Sequence, residues 1–113
     1  MNAMSKHPLD QFFRDIGARR SGECFVLDGF SVDCYLIFDL SEGGKSGTCD
    51  IFAAPVPEPP STPNQILLMV DAEQHHVVNF LIAFGIDRFS KRTQRALGAL
   101  VWGQHEVITK RHN

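Results

Sequence analysis

The chain has 113 residues, a formal charge of −2 and 43% hydrophobic residues, with nine phenylalanines as its main aromatics. That apolar content fills one core and excludes a disordered chain. No run approaches the roughly 20 apolar residues of a membrane helix. The opening "MNAMSKHPLD" has no apolar stretch of signal-peptide length, so a cytoplasmic protein with one domain over residues 1–113 is expected.

"HPLDQFFRDIGARR" opens the fold. Leu9, Phe12, Phe13 and Ile16 recur at i, i+3, i+4 and i+7, one face of a helix that Pro8 starts and Gly17 stops. "ECFVLDGFSVDCYLIFDL" then predicts two strands, with Asp28-Gly29 as a tight hairpin turn. Cys34, Leu36, Phe38 and Leu40 share one face of the second strand, and Asp33, Tyr35, Ile37 and Asp39 the other.

"SEGGKSG", residues 41–47, carries the second half of a nucleotide-phosphate loop. The first glycine of that motif would fall on Asp39, and a strand rather than a helix follows, so the segment reads as a turn. The third strand is "TCDIFAA". "PVPEPPSTP" at 55–63 holds five of the six prolines and predicts an extended connector.

Residues 64–87 are rich in β-branched and aromatic side chains. Their length fits one helix, but their content favours two strands with a turn at Asp71–His75. "RFSKRTQRALGALVWGQHEVI" closes the chain as a helix with Phe89, Thr93, Ala96, Leu97, Leu100 and Val101 along one face. The expected fold is thus α+β, in the order α-β-β-β-β-β-α, with an antiparallel sheet flanked by N- and C-terminal helices.

Little here points to catalysis. His75-His76 would project to opposite faces of a strand, with no carboxylate or cysteine at zinc-ligand spacing, so no metal is expected. Cys24, Cys34 and Cys49 form no C-x-x-C pair and read as buried, reduced thiols. No cofactor or catalytic residue is assigned. The charge is lopsided: residues 1–87 carry five Lys/Arg against twelve Asp/Glu, and residues 88–113 carry six against one. Arg88, Lys91, Arg92 and Arg95 make a cationic helix face, the basis of an alternative reading as a small nucleic-acid-binding module. The acidic remainder opposes it.

Three stretches carry a resemblance: "LDQFFRDIG", "CFVLDGFSVDCYLIFD" and "ILLMVDAEQHHVVNFLIAFGIDRFSKRTQRALGALVW". In order and apolar pattern they resemble the opening helix, first hairpin, and last hairpin with closing helix of the type III secretion chaperones, the Tir-chaperone-like class I effector chaperones. The resemblance implies a non-catalytic bacterial homodimer that binds the N-terminal segment of one cognate secreted effector and keeps it secretion-competent in virulence. It implies apolar effector contacts on the opening helix and sheet, for which Phe12, Phe13, Phe25, Leu27, Tyr35 and Ile37 are the candidates. The family's second helix, a dimer element, has little room beside "PVPEPPSTP" and is shortened or missing. Dimerisation then falls on Leu67, Leu68, Met69 and Val70. No nucleic acid and no membrane is implied as a partner.

Overall fold

In a computed structural model, residues 7–31, 33–41, 46–55 and 65–111 are described, the last ten of them as backbone only. A short helix α1 (Asp10–Asp15) leads into strands β1 (Arg19–Ser21), β2 (Cys24–Leu27), β3 (Cys34–Asp39) and β4 (Cys49–Pro55). Strand β5 (Ile66–Ala72), helix α2 (Gln74–Ala83), a 3-10 turn (Ile86–Arg88) and helix α3 (Lys91–Arg111) follow. The five strands form one antiparallel sheet in sequence order, β1-β2-β3-β4-β5. The α+β class with terminal helices and five antiparallel strands holds.

Two strands differ from expectation in where they arise. Strand β1 went unread because Arg19, Arg20 and Ser21 are polar and exposed and carry no alternation signal. A two-residue loop led by Gly22, at φ +62°, returns it to β2. Where two strands are expected, residues 66–83 hold one strand and one helix. Glu73 and His76 form a capping box that starts α2, and Val77, Val78 and Leu81 are buried at helical spacing. The sheet needs a helical layer over its apolar face, and that packing overrides the β propensity of the segment.

The Asp28-Gly29 turn is also longer than expected, since β3 starts only at Cys34. Ser31 closes the loop, its Oγ accepting the Cys34 and Asp33 N–H groups. The extra length seats Phe30 beside Phe84, with ring centroids 5.0 Å apart. Gly29, at φ +99°, lies against the 3-10 turn, where an added Cβ would stand 3.0 Å from the Arg88 carbonyl oxygen. The "SEGGKSG" turn and the Pro-rich connector fall largely outside the described residues.

One face of the sheet meets the helices. Phe13, Phe25, Phe38, Leu36, Ile51, Val77, Leu81 and Leu97 are fully buried there. Phe13 sits at the centre, 5.3 Å from the Phe25 ring and 4.6 Å from that of Phe38. On the other face Val26, Tyr35, Ile37 and Ala54 form a second buried cluster, with Cys24 and Phe52 packed against it.

Candidate partner-binding surface

The two edges of the sheet have opposite chemistry. Strand β1 is three residues long and exposes Arg19 and Arg20. Arg20 donates to Asp10 at 2.8 Å, and Arg14 reaches the other carboxylate oxygen at 2.8 Å. Asp10 is buried, so two cations and the Phe25 ring beneath them hold this edge against α1. Short, charged edges resist pairing with further strands.

Strand β5 is seven residues long and has no outer neighbour among the described residues. Its apolar run is open: Ile66 is 62% exposed, Leu67 51%, Leu68 38% and Val70 55%. Register explains why. Residues paired across antiparallel strands share a face, so Leu67 extends the row Val26–Ile37–Phe52 to the rim of the far face. Leu68 is the extra residue where the β4–β5 register slips between Phe52 and Ile51. Met69, opposite Ile51, turns back and packs partly buried against the helix-side core. A second irregularity ends the run at Asp71, which has φ +53° and donates its N–H to Asp50 Oδ1.

A groove of about 440 Å³ opens between α1, the start of α2 and α3. Phe12, Ile16, Ala96 and Leu100 give it an apolar floor, and Gln11 and Asp15 a polar rim. The small side chains of Ala96 and Ala99 leave space between the helices unfilled here. Further along, α3 is tied to the end of α1. The Arg92 guanidinium donates to the Arg14 carbonyl at 2.6 Å, and the Thr93 hydroxyl to that of Ile16. The Thr93 bond serves a carbonyl at the helix end, and the Arg92 bond adds to the one the Gly17 N–H already makes to the Arg14 carbonyl.

The six residues expected to touch an effector lie in three settings. Phe13, Phe25 and Leu27 are inside the helix-side core. Tyr35 and Ile37 belong to the far-face cluster. Phe12 is mostly buried but borders the groove. The four residues of the expected dimer seam come together on β5, three of them with open side chains. Of the α3 groove residues, Ala96 and Leu100 are legible only as part of an apolar helix face and Ala99 not at all, because a groove needs the facing helix to frame it.

The cationic face is exposed, and two of its arginines also bond backbone carbonyls of the same chain. Arg88 donates to the Phe30 carbonyl at 3.2 Å, and Arg92 is the tie just described. Burial pushes the Cys49 thiol up to about 12, with Asp50 and Asp39 adding to the effect. Burial and then the neighbouring Asp39 push Cys24 up as well. Both thiols stay protonated at neutral pH and are poor nucleophiles there. No helix among the described residues is long and apolar enough to cross a membrane.

Compared with known protein families, curated proteins and solved structures, the chain shows no match.

Proposed function

We propose that this chain is a non-catalytic chaperone of the type III secretion class, a cytoplasmic bacterial homodimer that holds the N-terminal segment of a secreted effector. The observation that carries the reading is the open apolar run of β5 on an otherwise well-packed sheet. Exposed contiguous apolar side chains on a rigid scaffold mark surfaces that receive protein. In this reading Leu67, Leu68 and Val70 form the seam between subunits. The α1–α3 groove, with Phe12 on its floor, takes an apolar anchor of the effector segment. Binding would combine pocket filling with the ordering of an extended chain.

The nucleic-acid alternative would use the exposed Arg88, Lys91, Arg92 and Arg95, and the acidic remainder of the chain opposes it. Co-purification from the native cell under secretion-inducing conditions tests the proposal. The expected result is one dominant secreted protein whose N-terminal segment stays bound after limited proteolysis. Nucleic acid that leaves at high salt, or no partner, would overturn it.

A further inference from the structure

We propose that Glu73, His75 and His76 form a surface site for a late first-row divalent cation, with zinc as the probe. The inference is independent of the partner-binding reading. It arises because residues 74–83 fold as a helix rather than a strand. On a strand the two histidines would face apart. At the start of α2 their ring centroids are 4.0 Å apart. Glu73, just before the first turn, brings Oε1 to 3.6 Å from His75 Nδ1.

One donor atom from each of the three residues lies within 4.8 Å of the others. Ligands bound at about 2.0–2.1 Å in a tetrahedral zinc shell stand about 3.4 Å apart. All three side chains are exposed, so rotamer adjustments of about 1 Å close the gap without moving the backbone. Two imidazole nitrogens and one carboxylate oxygen suit zinc, nickel or copper rather than calcium or magnesium, which prefer all-oxygen shells. Water completes the coordination, as in other sites with three protein ligands.

Two forces limit the affinity. The positive end of the α2 dipole faces the site, and the Glu73 carboxylate offsets it. His76 Nδ1 also accepts the Glu73 N–H at 3.0 Å. While Nδ1 accepts, the neutral His76 ring holds its single N–H proton on Nε2; capture of a metal at Nε2 requires that proton to move to Nδ1, which ends the bond. The metal and this half of the capping box therefore compete, so the site is weak and reversible rather than structural.

Isothermal titration of the untagged full chain with zinc chloride tests the proposal, with dithiothreitol excluded. One equivalent should bind. Each of His75→Ala, His76→Ala and Glu73→Gln should weaken binding by at least about tenfold, the loss typical of removing even an outer partner of a metal. Circular dichroism should show each variant folded, since all three side chains are exposed. Amide NMR should show the Glu73 N–H shifting on zinc addition. No binding by the wild type, or equal binding by the His75→Ala/His76→Ala double variant, would overturn the proposal.

Discussion

The β1 and β5 edges belong to one sheet and meet water in opposite ways. At β1 the strand is short, both arginines are exposed, and a buried carboxylate pins one of them to α1. At β5 the strand is long, apolar from Ile66 to Val70, and more than half exposed at three positions. Had open apolar residues been a general failing of this small core, both edges and both faces would show them. Instead the faces are closed at the centre and one rim is open. The proposed seam between subunits rests on this difference between the two edges.

The largest effect should come from giving β5 the chemistry of β1. Leu67→Lys with Val70→Lys removes the apolar seam and places like charges across any pairing of two copies. Self-association should be abolished, while unfolding in urea shifts by no more than about 1 kcal/mol, because both side chains are already half exposed. Retained association with unchanged stability would move the seam elsewhere.

Breaking the closed edge should cost stability instead. Asp10→Ala leaves Arg14 and Arg20 without their carboxylate beside the Phe25 ring. Loss of one partner of a buried pair costs about 3–5 kcal/mol, but these guanidinium groups are half exposed and rehydrate, so roughly 2 kcal/mol is expected by denaturant titration. A shift below about 0.5 kcal/mol, the range of ordinary surface substitutions, would show that α1 is held by packing alone.

Alkali should destabilise the end of the open edge. Cys49 pairs with Ala72 at the end of β5. The fold holds its thiol proton longer than the unfolded chain does, since the ordinary value of 9.0 is raised to about 12. The stability linked to this group is therefore intact below pH 9.0 and is lost as pH rises toward about 12. Melting temperature measured across that window should fall more steeply for the wild type than for Cys49→Ala. Parallel curves would rule the thiol out as the cause.

The smallest effect is expected at Arg19, whose guanidinium lies 3.4 Å from Asp28 with both side chains well exposed. Arg19→Val should change stability by no more than about 0.5 kcal/mol. It should raise the tendency to form species larger than a dimer, because a second edge loses its charge. Light scattering against concentration reads that change.

Much of this frame was legible in the residues, and the failures share a cause. Leu9, Phe12, Phe13 and Ile16 predict α1 because a short helix has only one way to bury four apolar side chains at that spacing. Alternation predicts β3 and β4 for the same reason. Strand β1 was silent, since an edge protected by arginines shows no apolar period. Residues 73–83 misled, because Val77 and Val78 favour strands locally while the sheet requires a helix above it. The seam was legible as a run, Leu67 to Val70, but the split between open Leu67 and inward Met69 depends on a register slip that no local pattern reveals. The two-histidine cluster followed the same error, since it exists only once the strand becomes a helix.

Sedimentation equilibrium of the untagged wild-type chain tests dimerisation through β5. A reversible species of twice the 12.6 kDa chain mass is expected, reduced to the single-chain mass in the Leu67→Lys/Val70→Lys variant. A wild type that stays at single-chain mass at every concentration, or a variant that still forms the dimer, would contradict it.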